Sequence, residues 1–172
     1  MINSGPVKSV DLSIREVLGG AAGDREALLS IIAKSDNLSD EERDCAREIL
    51  DIYLENKEKG YLFLTATVSG LPVGYICYGR TPLTDSVFDI YWILVHPDYR
   101  RRGVATDLLE YTEALIRQGG ARMMMAETSG LAAYSPAREF YHMTGFKEEA
   151  RIKGFYKTGD DLVVFVKRFG QT

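Results

Sequence analysis

Apolar and polar residues follow two periods along this chain, one suited to strands and one to helices. Leu12 to Val17 reads as a short first strand, and Tyr61 to Val68 alternates as a half-buried strand does. Ser69-Gly70 is a hairpin turn that returns the chain as Val73 to Tyr78. Val87 to Val95 is a longer apolar strand stopped by Pro97, Arg122 to Ala126 is a buried one, and Glu148 to Phe155 and Leu162 to Arg168 close the chain around a Thr158-Gly159-Asp160-Asp161 turn. The helical period appears in four places. Ala21 to Asp24 opens the first helix, with Asp24 as N-cap before Arg25 to Lys34. Ser39 and Glu42 form a capping box for a second helix, which runs through Ile49, Ile52 and Tyr53 to about Lys57 and ends at Gly60. Val104 to Arg117 is strongly amphipathic and closes on Gly119-Gly120. Ser135-Pro136 caps a last helix, Ala137 to Met143, ending at Gly145.

The resulting order is one strand, two helices, three strands, a helix, a strand, a helix and two strands. It predicts a mixed α/β sheet flanked by helices. The 172 residues contain no repeat, low-complexity run or linker, so residues 1–172 are expected to form one domain. The last strand, Leu162 to Phe169, is apolar and could sit at a sheet edge, which would allow a homodimer.

A formal net charge of −4 argues against a broad nucleic-acid surface. Met1 to Val10 lacks the pattern of a signal peptide, and no apolar run is long enough to span a membrane, so a cytoplasmic location is expected. The two cysteines, Cys45 and Cys77, read as buried or half-buried packing residues. The histidines, His96 and His142, have no companions that would form a metal site.

The candidate chemistry begins between the Val87–Val95 strand and the helix that follows. A helix start leaves backbone N–H groups without partners at the positive end of its dipole. Gly103 and Ala105 would let a phosphate approach them, and Arg100, Arg101 and Arg102 add positive charge. An exposed helix start with no ligand is the plainer reading of such a turn.

Arg100-x-x-Gly103-x-Ala105, preceded by Val95-His96-Pro97, resembles the acetyl-CoA motif of the GNAT superfamily of N-acetyltransferases. Ala137-Arg138-Glu139-Phe140-Tyr141-His142-Met143-Thr144-Gly145-Phe146 is similar to that family's later helix. The resemblance spans about Tyr61 to Arg168 in element order and is carried by motifs from Asp89 to Phe146. It implies a GNAT fold, with a mostly antiparallel mixed sheet splayed at its central strands. It also implies acetyl-CoA in that splay, with main-chain groups of Ile93 and Val95 holding the pantetheine and the acetyl carbonyl. The pyrophosphate would lie on Arg100, Arg101, Arg102, Gly103, Val104 and Ala105. Tyr134 occupies a slot where many relatives carry an asparagine, and the Glu127 to Pro136 loop reads as long.

Acetyl transfer to an amine needs a base, an oxyanion donor and an acid for the leaving thiolate. The family's acid falls on Tyr141. Asp89, charged within an apolar strand, and Glu127, after Met123-Met124-Met125-Ala126, are rival bases. Each also reads as a solvent-facing carboxylate. The acceptor implied is a primary amine on a small molecule or a peptide. The acidic helix Ser39 to Lys57 is either a solvated face or a surface for cationic amines. Phe155-Tyr156 resembles the last hairpin of enzymes that acetylate protein N-termini. A non-catalytic acetyl-CoA-binding or scaffold module of the same fold is the alternative function.

Overall fold

A computed structural model describes residues 11–20 and 23–170. The expected helix opening at Ala21 and the leader reading of Met1 to Val10 therefore fall, wholly or in part, outside the described residues. Seven strands among these residues form one sheet: β1 (Leu12–Glu16), β2 (Leu62–Val68), β3 (Leu71–Arg80), β4 (Val87–Val95), β5 (Met123–Ser129), β6 (Lys147–Lys157) and β7 (Asp160–Arg168). Their order across the sheet is β1-β2-β3-β4-β5-β7-β6. Every neighbouring pair is antiparallel except β4 and β5. Among the described residues, four α-helices cover the faces: α1 (Arg25–Ala33), α2 (Asp40–Glu55), α3 (Val104–Gln118) and α4 (Ser135–Met143).

Two cores sit on opposite faces of the sheet, as the alternation of its strands requires. On one face, Leu28, Ile31, Ile32, Leu50 and Tyr53 of α1 and α2 pack on Phe63, Tyr75, Cys77 and Leu94. On the other, Leu108, Leu109 and Ile116 of α3 and Tyr141 of α4 pack on Ile76, Ile90, Ala126 and Phe165.

Local rules account for most of the boundaries. Both halves of the Ser39–Glu42 capping box form. The Ser69-Gly70 turn carries positive φ at both residues, which a two-residue hairpin of the favoured hand requires. Asp24 does occupy the N-cap of α1 but makes no capping bond. Its buried carboxylate instead takes a bidentate pair from Arg15 and the Leu18 N–H, tying β1 to the start of α1.

Three expectations are corrected. The last strand is not an edge, because β7 pairs with β5 on one side and β6 on the other; the long return of β6 covers it. Cys45 is exposed on α2, since the apolar stripe of that helix passes through Ala46, Leu50 and Tyr53 instead; Cys77 is buried. The segment after Ala126 is not a long loop, because β5 continues to Ser129 and a short 3-10 turn, Ala132–Tyr134, leads directly into α4.

Candidate active site

The sheet opens at its centre. β4 and β5 pair only from Val87–Ile90 against Met123–Ala126, although β4 runs on to Val95 and β5 to Ser129. Beyond Ile90, β4 stays with β3 and β5 stays with β7. The register between β3 and β4 also shifts at this point: Tyr78 faces Ile90 and Cys77 faces Trp92, so Tyr91 is left over as a bulge. Such an insertion bends its strand, and here it turns β4 away from β5.

A cavity of about 730 Å³ occupies the opening. Tyr91, Trp92, Ile93 and Leu94 form one wall and Glu127, Thr128 and Ser129 another; Ala137 and Tyr141 of α4 and the Asn37–Glu42 stretch with Cys45 complete it. The cavity therefore meets helices from both faces of the sheet.

Tyr141 is 9% exposed. Its ring lies 5.4 Å from Phe165, stacked, and 5.3 Å from Phe146, edge-on. Burial pushes the phenol well above its ordinary pKa. Its hydroxyl has no hydrogen-bond partner among the described residues, and the residue lines the cavity. A neutral phenol free to donate is what a departing thiolate needs.

The rival carboxylates are separated. Glu127 lines the cavity alongside Tyr141. Asp89 is half-buried outside it and accepts the Thr81 hydroxyl at 2.7 Å. Its charge still reaches the rim, since burial and then Asp89 push Tyr91 up to about 12.

At the entrance to α3, Gly103 holds the N-cap position with φ 84°, a left-handed conformation that favours glycine. A Cβ there would meet only the Asp107 carboxylate, at 4.0 Å, so the approach is open. The first turn closes with Asp107 N–H donating to Gly103 C=O at 2.9 Å. The N–H groups of Val104, Ala105 and Thr106 have no backbone partner among the described residues, which suits an anion. The three arginines differ. Arg100 turns back, donating to Asp36 at 2.7 Å and to the Val95 carbonyl at 3.4 Å, and so braces the loop before α2. Arg101 and Arg102 are exposed, with the Arg102 guanidinium 5.3 Å from the Tyr99 ring centre.

His96 is held by local contacts: Nδ1 accepts the Asp98 N–H, and Nε2 lies 3.0 Å from Lys34 Nζ. Three cavity residues, Tyr134, Glu42 and Asp160, make contacts that sequence reasoning missed. Tyr134 donates to Glu42 at 2.7 Å across 92 residues of chain, so one carboxylate both caps α2 and holds the segment before α4. Asp160 reads as part of a surface turn but is the first residue of β7 and only 6% exposed. No local signal marks these long-range contacts.

With this geometry in view, comparison with known proteins is direct. Residues 27–146 match the Acetyltransferase (GNAT) family, and the chain belongs to that family. A solved GNAT-family protein from Desulfovibrio desulfuricans is 36% identical, with a TM-score of 0.83 over 91% of this chain and 98% of its own. An N-alpha-acetyltransferase of Saccharolobus solfataricus is 29% identical over 64% of this chain and 71% of its own length. An N-acetyltransferase of Methanocaldococcus jannaschii is 29% identical over 55% of this chain; the match spans 43% of that protein. Chains solved with coenzyme A or acetyl-CoA, at 18% and 19% identity, share the fold. Among the described residues, no helix is long and apolar enough to cross a membrane.

Proposed function

We propose that this protein is an acetyl-CoA-dependent N-acetyltransferase that acetylates a primary amine by direct attack within a ternary complex. The observation that carries the proposal is the cavity through the β4–β5 opening, which brings the free hydroxyl of buried Tyr141 and the carboxylate of Glu127 to one space. Family membership supports the reading, as do solved chains of the same fold that hold coenzyme A or acetyl-CoA.

The free N–H groups of Val104 and Ala105, the open approach at Gly103 and the charges of Arg101 and Arg102 fit a pyrophosphate. Arg100 contributes by fixing the turn. Main-chain groups of Ile93 and Val95, on the diverging part of β4, are suited to the pantetheine amides and the acetyl carbonyl. When bound, acetyl-CoA supplies an activated thioester. Glu127 accepts the proton that the amine loses as its nitrogen bonds to the acetyl carbon. Tyr141 Oη gives a proton to the sulfur as the carbon–sulfur bond breaks, and a backbone N–H on β4 stabilises the oxyanion. Asp89 is the less favoured base, because it does not line the cavity and already accepts a hydrogen bond from Thr81.

Thiol release from acetyl-CoA in the presence of a panel of primary amines tests the proposal. Release that depends on one class of amine supports it. Tight acetyl-CoA binding without amine-dependent release would leave the non-catalytic alternative.

A further inference from the structure

The acceptor end of the cavity carries more negative charge than one amine requires. Glu41, Glu42, Glu127 and Asp160 line it, against a single lysine, Lys157. Two of the four carboxylates are already accounted for. Glu41 has a lowered pKa, owing to its own backbone N–H, the Ser39 hydroxyl and the charge of Lys157. Glu42 receives the Tyr134 hydroxyl and the Ser39 N–H. Both also lie in the first turn of α2, where acidic residues favour the helix dipole.

Glu127 and Asp160 have no such explanation. Neither has a cationic partner within ion-pair distance among the described residues. Asp160 is more than nine-tenths buried. Its Oδ1 is bonded to the Ser129 hydroxyl at 2.5 Å, while Oδ2 has no partner among the described residues. That oxygen stays open to the cavity, where a ligand cation can supply the counter-charge that the protein does not.

Spacing gives the ligand its shape. Ser129 lies two residues beyond Glu127 on β5, hence on the same face and roughly 7 Å along the strand. Because Ser129 holds the Asp160 carboxyl, Glu127 and Asp160 stand apart by about the span between the ends of a short aliphatic diamine. Tyr156 lines the same space as Glu127, Asp160 and Glu42, and its phenol is raised first by burial and then by their charges. Its ring offers a face to the methylenes or to a cation.

We infer that the acceptor is an aliphatic amine carrying a second ammonium, which Asp160 Oδ2 binds while Glu127 serves the amine to be acetylated. The inference rests on the proposed transfer reaction for the role of Glu127, but the Asp160 site can be measured without turnover.

The test is calorimetric titration with cadaverine and with pentylamine, which differ by one terminal ammonium, in the presence and absence of coenzyme A. Cadaverine is expected to bind about tenfold or more tighter than pentylamine, the range of a charge-assisted hydrogen bond. In Asp160→Asn, which can still accept from Ser129, that ratio should fall to near unity. Equal affinities in the parent, or a preference that survives in Asp160→Asn, would overturn the inference. Should that variant not fold, cadaverine against aminopentanol in the parent decides alone, equal binding again overturning it. A cadaverine preference without thiol release from acetyl-CoA would retain the dication site and remove the transferase reading.

Discussion

Replacing Tyr141 with phenylalanine removes one oxygen atom, and the structure indicates what that oxygen does. The ring is 9% exposed and packs on Phe165, Phe146 and Phe140 with centroid distances of 5.4, 5.3 and 5.6 Å. Tyr141→Phe keeps these contacts. Because the hydroxyl has no protein partner among the described residues, no hydrogen bond of the fold is lost. The stability change should stay within about 1 kcal/mol, whereas Tyr141→Ala would cost about 3–5 kcal/mol in lost burial and cavity. The catalytic change should be much larger. A positioned general acid contributes about 10²–10⁴ in rate, so kcat should fall by that factor, or about 3–5 kcal/mol, with KM for acetyl-CoA little altered. Thiol release measures kcat and KM, and thermal melting measures stability. The pH profile adds an independent check. Burial raises the phenol above its ordinary value near 10, which favours the neutral donor, so the parent's kcat should not decline on the alkaline side below about pH 10. A variant that keeps kcat within about threefold of the parent, or a parent whose kcat falls near pH 8, would refute the role given to Tyr141.

Glu127→Gln should lower kcat/KM by about 10²-fold or more near neutral pH while Asp89→Asn lowers it by less than about tenfold, as steady-state assays of both would reveal; the reverse order would make Asp89 the base. Asp24→Ala removes the buried partner of a part-exposed pair and leaves Arg15 and the Leu18 N–H without their acceptor, so chemical denaturation should show a loss of about 1–3 kcal/mol. The Asp24 carboxyl is held below its ordinary value by Arg15 and the Leu18 N–H, which outweigh its desolvation. Its contribution is thus full above the unfolded pKa near 3.9 and is lost as pH falls through the lower folded value, which acid unfolding of parent and variant should show as converging stabilities. A thiol reagent should modify one of the two cysteines in the native protein, Cys45, and reach buried Cys77 only after denaturation, as mass spectrometry would count.

The parts of this molecule that obey short-range rules were legible in its sequence. Ser39 and Glu42 stand three residues apart and cap α2; Ser69-Gly70 turns a hairpin; Val87 to Val95 has the bounds of β4 itself. The Arg100 to Ala105 turn and the α4 segment around Tyr141 were visible because their residues are contiguous. Strand order was not. The placement of β7 between β5 and β6 depends on which long-range pairing buries Val163 and Phe165, a competition that no local pattern reports. The same reason hid how the acceptor end of the cavity is assembled. Glu42, Glu127, Tyr134, Tyr156 and Asp160 come from five separate elements or turns; Glu127 read as a candidate base and Glu42 as a capping residue, but no local pattern brings the five together.

The central claim is that the turn from Arg100 to Ala105 and the opening beside it hold acetyl-CoA. Isothermal titration of the protein with acetyl-CoA, beside an Arg102→Glu, Gly103→Glu double variant, tests it most directly. The variant puts two carboxylates and a side chain at a left-handed position where the α3 N–H groups stand free. Micromolar-range binding to the parent that is lost in a variant with an unchanged circular dichroism spectrum is the predicted result. Absence of binding to the parent, or equal binding to both proteins, would contradict it.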